Sequence, residues 1–199
     1  MKIALAQIEV IPGKIDHNIH RMLDMIKYAR MAAVDLIVFP ELCISGYILS
    51  DQWVNESFCQ ELMEYNEVLM QASHDIAIIY GNIYLDLEIN KRMTDDAYHP
   101  NKDGRARKYN GVYVFQNGRP ARRMKETSIL PQGVQPKTLL PEYMVFDDER
   151  YYFSLQDVAK DAGVLVNELA QPFIIEVNGR KRLIGCEVCE DLWCNDYRL

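Results

Sequence analysis

Short apolar runs alternating with amphipathic stretches in the first half of the chain restrict the fold more than any other feature. Residues 2–8 run apolar and read as a strand, and Pro12-Gly13 marks a turn. A helix is expected over about 16–33, N-capped by Asp16, with Ile19, Met22, Leu23, Ile26 and Ala29 or Ala33 on one face. Leu36 to Phe39 is a second strand, ended by Pro40. A second helix follows over about 56–73, with Phe58, Leu62, Tyr65, Leu69 and Ala72 on its face, and Ile76 to Tyr84 is a third strand. An apolar strand and an amphipathic helix each need a partner for the buried face. The β-α-β-α order therefore predicts an α/β protein with helices packed on a sheet.

The second half is less regular. Asp86 to Lys108 is polar and reads as a loop, Asn110 to Gln116 as a strand, and Asn117-Gly118 as a hairpin turn. Arg119 to Pro136 shows no period that places it. Ser154-Leu155-Gln156-Asp157 resembles a capping box opening a helix. Phe173 to Val177 and Lys181 to Val188, on either side of Asn178-Gly179, read as a second hairpin.

A chain of 199 residues is long enough for one domain with a sizeable core. Its net charge of −7, with the basic residues scattered, argues against a nucleic-acid partner. Met1 to Gln7 lacks the apolar stretch of a signal peptide, and no apolar run is long enough to cross a bilayer. The five cysteines are an odd number without framework spacing, so they read as reduced thiols in a cytoplasmic protein.

Cys189 stands out among them. The apolar run Leu183 to Val188 ends in Cys189-Glu190-Asp191-Leu192-Trp193. A strand holds the sulfur, a sharp turn exposes it, and the next backbone N–H can face a developing oxyanion. A helix beginning there would favour the thiolate through its positive end. Two other segments contain matching groups. Leu36-Ile37-Val38-Phe39-Pro40-Glu41 is a buried strand ending in a carboxylate, partly desolvated by its neighbours and suited to a general base. Pro136-Lys137-Thr138-Leu139-Leu140-Pro141 sets a lysine in an apolar, proline-bounded stretch. Glu41, Lys137 and Cys189 then form a base, a cation and a nucleophile.

Simpler readings compete. Cys189 by residue type alone is a buried, inert thiol, and Cys186, three positions earlier, faces the opposite side of a strand and reads as core. Cys43 and Cys59 read as core as well, and Cys194 is undecided. Cys186-x-x-Cys189 as a zinc or redox site lacks a second Cys pair or nearby His pair, so no metal is expected. Lys125, in Met124-Lys125-Glu126, is a decoy for Lys137.

At these residues the chain resembles the nitrilase, or carbon–nitrogen hydrolase, superfamily, and within it the glutaminase domain of glutamine-dependent NAD synthetases. Lys137-Thr138-Leu139-Leu140-Pro141-Glu142-Tyr143 through Phe146-Asp147-Asp148-Glu149-Arg150 is similar to that branch's Lys-x-x-Leu-Pro-x-Tyr and Phe-Asp-Glu-x-Arg signature, and Cys189-Glu190-Asp191-Leu192-Trp193 to its nucleophile motif. The resemblance implies a nitrilase-like α-β-β-α sandwich with a catalytic Glu41, Lys137 and Cys189. It also implies substrate contacts from Tyr47, Tyr143, Glu190 and Trp193. Asp148 stands where the family commonly has a second, supporting Glu.

The implied reaction is hydrolysis of glutamine, or of another small amide, with no cofactor in this chain. In the branch, ATP and nicotinate adenine dinucleotide belong to a synthetase domain with a Ser-Gly-Gly-x-Asp-Ser loop, which these 199 residues do not contain. The family's sandwich continues well beyond its nucleophile, whereas Leu199 follows Cys189 by ten residues. Residues 1–199 are therefore expected to be the N-terminal portion of the hydrolase domain, with a sandwich incomplete at its C-terminus and an exposed sheet edge. A homo-oligomer or a synthetase domain is then the expected partner, with neither nucleic acid nor membrane. A free-standing small-amide hydrolase and a non-catalytic truncated fragment are the alternatives.

Overall fold

The computed structural model describes residues 1–87 and 105–193. Its main elements are β1 (Ile3–Leu5), α1 (Ile15–Met31), β2 (Leu36–Val38), α2 (Glu56–Ala72), β3 (Ala77–Asp86), β4 (Arg107–Gln116), β5 (Arg119–Pro120), β6 (Arg122–Arg123), β7 (Val134–Pro136), α3 (Leu155–Ala162), α4 (Val166–Leu169), β8 (Phe173–Val177) and β9 (Arg180–Ile184). The first sheet runs β1-β2-β3-β4-β5, with β7 also on β4, and the second runs β6-β8-β9. β1, β2 and β3 are parallel, which the helical crossovers require, and the other pairings are antiparallel.

Strand alternation builds the layers. Ile37, Ile78 and Tyr80 point to one face of the first sheet and meet Ile19, Met22 and Ile26 of α1 and Leu62 and Leu69 of α2. Leu36, Ala77, Ile79, Val112 and Val114 point to the other and meet Phe173, Ile175 and Val177 of β8. Helices, sheet and second sheet thus stack as three layers of the expected sandwich. Met22, Ile26, Leu62 and Leu69 are completely buried, and each contributes about 1.5–3 kcal/mol of hydrophobic stabilisation.

Several local expectations need correction. Asp16 does not cap α1. The cap position is Lys14, and the Asp16 carboxylate accepts the Tyr65 hydroxyl of α2 at 3.2 Å. The helix start is anchored instead by buried Asn18, which bonds Ile11 through both amide atoms and donates to the Ile44 carbonyl. The second helix is capped by Asn55. Asp86 and Arg107-Lys108 are strand residues rather than loop, and residues 88–104 lie outside the described residues. Buried Arg107 pairs with Asp161 and lies over the Phe153 ring at 4.3 Å. The unplaced stretch 119–136 supplies β5, β6 and β7.

Other signals hold. Asn117 and Gly118 take φ of 55° and 71°, as a two-residue hairpin turn needs, and Asn178 and Gly179 do the same between β8 and β9. Ser154 and Asp157 form the capping box of α3. The β9 strand, however, stops at Ile184 rather than Val188. Ile184 pairs Phe173, and the preceding Pro172 has no N–H to continue the ladder.

β1 is the terminal strand of its sheet, and Ile3 and Leu5 are 49% and 71% exposed there. They border a groove of about 570 Å³, lined also by Val38, Ile79, Val112 and Val188, that runs to Glu41 and Cys189. Among the described residues no helix is long and apolar enough to cross a membrane.

Candidate active site

Three chain breaks meet at one end of the first sheet. After β2, Phe39 still pairs Ile79, and Pro40 then turns the chain so that Glu41 precedes Leu42 at φ 44°. Cys43 N–H returns to the Gly81 carbonyl. This turn lies flat on β3 because Gly81 has no side chain: a Cβ there would sit 2.4 Å from Leu42 N and 2.7 Å from Glu41 Cα. Both obstacles are backbone and cannot swing away. Gly81→Ala is therefore expected to cost about 1–3 kcal/mol in urea unfolding, with the Glu41 turn displaced. A variant as stable as the parent would show that the two backbones are not in contact.

Lys137 follows β7, and its N–H donates to the Asn110 carbonyl at 2.8 Å. Its side chain is wholly buried. Nζ donates to Glu41 Oε1 at 2.8 Å and to Asp148 Oδ2 at 3.1 Å. Burial alone would lower the lysine pKa, but the two carboxylates outweigh it and hold the group above its ordinary value. Lys125, by contrast, is 68% exposed and 3.8 Å from Glu168. Asp148 opens a short 3-10 turn and is 3% exposed. Burial pushes its carboxyl up, opposed by the Tyr47 hydroxyl donating to Oδ1 and by Lys137.

Cys189 is exposed, with φ 48°, at the start of the 3-10 turn Cys189–Trp193. Cys189 and Glu41 line the same groove, so the Glu41 charge acts on the sulfur. Desolvation and the Glu41 charge raise its pKa, and Lys137 opposes them, so the resting group is a thiol. Cys189 opens a five-residue 3-10 turn rather than a helix that would favour the thiolate, and after desolvation the Glu41 charge is the leading influence on it. The other described cysteines differ. Cys43 and Cys59 are fully buried, and burial pushes the half-buried Cys186 up to about 12.

The remaining expected residues divide into two groups. Tyr47 joins the cluster through Asp148, with Lys137 Nζ 5.6 Å from its ring centroid. Tyr143 donates to Glu190 at 2.7 Å on the exposed rim. Trp193, 74% exposed, lies with Glu190 in a separate groove of about 910 Å³ whose lining includes neither Glu41, Lys137 nor Cys189.

Two residues escaped the sequence reading. Buried Asn110 donates to Glu41 Oε1 at 2.6 Å, the same oxygen that accepts from Lys137. Buried Asp191 accepts backbone N–H groups from Val188, Thr138 and Leu139. Asn110 looked like the first residue of a strand and Asp191 like part of an acidic turn. Cys194 lies outside the described residues. Among the described residues, no group of three His, Cys, Asp or Glu side chains is placed to hold a metal ion.

A buried ammonium between two carboxylates, with an exposed thiol on the same groove as one of them, is an arrangement for nucleophilic chemistry on a carbonyl or nitrile carbon. The carbon–nitrogen hydrolase model matches residues 2–198, and the chain belongs to the carbon–nitrogen hydrolase family. Among curated relatives, it is 28% identical over 192 residues to the glutamine-dependent NAD(+) synthetase of Acinetobacter baylyi, covering 96% of this chain and 27% of that protein. To the Thermotoga maritima synthetase it is 24% identical over 193 residues, covering 97% and 26%. The chain thus spans little more than a quarter of the length of these relatives. The solved structure of the Acinetobacter baumannii synthetase with ADP superposes at a TM-score of 0.66 and 25% identity, over 98% of this chain and 28% of that one. An amidase from Nesterenkonia sp. shares the fold at a TM-score of 0.59 and 15% identity, over 92% and 54%.

Proposed function

We propose that this chain hydrolyses the side-chain amide of glutamine through a thioester on Cys189, as the glutaminase part of a glutamine-dependent NAD synthetase. The observation that carries the reading is the cluster itself: Lys137 Nζ between Glu41 and Asp148, with Cys189 on the same groove as Glu41. Glu41 takes the thiol proton as sulfur attacks the amide carbon. The Lys137 ammonium and the Glu190 backbone N–H stabilise the oxyanion. Glu41 returns the proton to the leaving nitrogen, the C–N bond breaks, and ammonia departs. Water then attacks the thioester carbon while Glu41 accepts its proton. The S–C bond breaks, glutamate leaves, and the proton returns to sulfur. Tyr47 and Asp148 support Lys137, and Tyr143 and Glu190, joined to each other with Glu190 beside the nucleophile in sequence, contact the substrate. ATP and nicotinate adenine dinucleotide act at a synthetase domain, which receives the ammonia.

The test is ammonia and glutamate release from glutamine, in parallel with Cys189→Ala. Stoichiometric release by the parent and none by the variant is the expected result. Release that survives Cys189→Ala would remove the thioester route.

A second reading, a hydrolase of another small amide, is favoured by the apolar lining of the groove at Cys189, which includes Ile79, Val112 and Val188. A panel of glutamine, asparagine and simple aliphatic amides separates the two by kcat/KM.

A further inference from the structure

The nucleophile turn lacks the support a strand would give it. Ladder pairing stops at Ile184, and residues 185–188 reach Cys189 without regular structure. Two buried side chains take over. Gln135, in β7, donates through Nε2 to the Cys186 carbonyl at 2.9 Å. Asp191, 3% exposed, accepts Val188 N–H on Oδ2 at 3.0 Å, closing the turn on itself. Its Oδ1 accepts Thr138 N–H at 3.1 Å and Leu139 N–H at 2.8 Å. Both ties end on the segment that carries Lys137, one on each side of that residue in sequence.

We infer that Asp191 is a positioning residue: its carboxylate holds the Cys189 turn in register with the Lys137 segment, so that the lysine ammonium and the Glu190 N–H converge on one oxyanion. The inference rests on the thioester reading above for its catalytic consequence, but not for its geometric one. A carboxylate suits the task because it offers only acceptors, and all three neighbours are donors. An amide of the same shape must turn its NH₂ toward either Val188 N–H or the Thr138 and Leu139 pair, donor against donor. A displacement of about 1 Å at such a site costs about 10²-fold in turnover.

The test uses two readouts on Asp191→Asn and on Gln135→Met, which loses the second tie. The first is the pH dependence of Cys189 alkylation by iodoacetamide, resolved by site with fragment mass spectrometry. The groups facing this thiol are Glu41, Lys137 and Glu190, with the Tyr47 and Tyr143 phenols nearby. Once the turn moves off Glu41, the raised thiol pKa should relax toward the ordinary value of about 8.5. Gln135→Met should shift it in the same direction by less. The second readout is glutamine hydrolysis, where Asp191→Asn should lower kcat about 10²-fold with little change in KM. A folded Asp191→Asn whose Cys189 titrates as in the parent overturns the inference. If Asp191→Asn does not fold, Asp191→Glu, which keeps the charge and moves the carboxylate by a methylene, is judged by the same titration. A parent inactive on glutamine would remove the glutaminase reading, and the alkylation profile would still decide the role of Asp191.

Discussion

Lys137→Met should leave a chain that neither hydrolyses glutamine nor holds its fold well at neutral pH. The ammonium is wholly buried and is the cation paired with both Glu41 and Asp148, at 2.8 and 3.1 Å. Methionine fits the space, but it leaves two carboxylates facing each other with their shared cation gone. Removing one partner from a buried ion pair costs about 3–5 kcal/mol, against a typical total stability of about 5–15 kcal/mol. The pH dependence identifies the cause. Burial already raises the Asp148 pKa and Lys137 opposes it, so the variant raises it further. An acid whose folded-state pKa lies above its unfolded value costs nothing below both values; its penalty grows as pH rises from the unfolded value to the folded one and is constant above it. The stability gap between parent and Lys137→Met should therefore narrow as pH falls from neutral toward the ordinary carboxylate pKa of about 4. Urea unfolding at both ends of that range measures it. A gap independent of pH would mean that lost packing, not the unpaired Asp148, is responsible. Lys137→Arg should not rescue turnover, because a planar fork cannot replace a compact ammonium between Glu41 and Asp148.

What could be read from the chain depended on how local the cause was. The β-α-β-α opening was legible because each element there is written in its own period: Ile19, Met22 and Ile26 at helical spacing, Leu36 to Phe39 as a run. Hairpins at Asn117-Gly118 and Asn178-Gly179 were legible because both turns need positive φ, which these residues tolerate. Arg107 and Lys108 looked like loop because nothing nearby in sequence shows that Arg107 will meet Asp161 and Phe153. The end of β9 was misplaced for a similar reason: its limit is set by Pro172 across the hairpin, not by its own residues.

The site divides along the same line. Glu41 and Cys189 each follow an apolar run and Lys137 lies inside a proline-bounded apolar stretch, a pattern visible in sequence that the family resemblance singled out. Asn110 and Asp191 act on groups far along the chain, Glu41 in one case and the Thr138 and Leu139 N–H groups in the other. Their roles exist only once the strands are assembled.

Glu41→Gln should separate two properties of the site that usually fall together. Glutamine keeps the shape and one acceptor oxygen, so Asn110 Nδ2 and Lys137 Nζ retain their partner, now at 2.6 and 2.8 Å from Glu41 Oε1. It cannot accept the Cys189 proton or deliver one to ammonia. Amide hydrolysis should fall by about 10²–10⁴, the usual worth of a positioned acid–base group. Alkylation of the thiol should change in the other direction. After desolvation, the Glu41 charge is the leading cause of the raised Cys189 pKa, while Lys137 pulls it down. Neutralising Glu41 leaves the lysine opposed only by desolvation and the weaker Glu190 charge, so the thiol pKa falls and the thiolate fraction near pH 7.5 rises. A less basic thiolate is a weaker nucleophile, but with a Brønsted slope of about 0.4–0.5 it loses less than the added thiolate gains. Iodoacetamide should therefore modify Cys189 faster in Glu41→Gln than in the parent, while ammonia release from glutamine nearly stops. If alkylation slows in step with hydrolysis, Glu41 instead maintains a resting thiolate, and the order of proton transfer and attack proposed for this site is reversed.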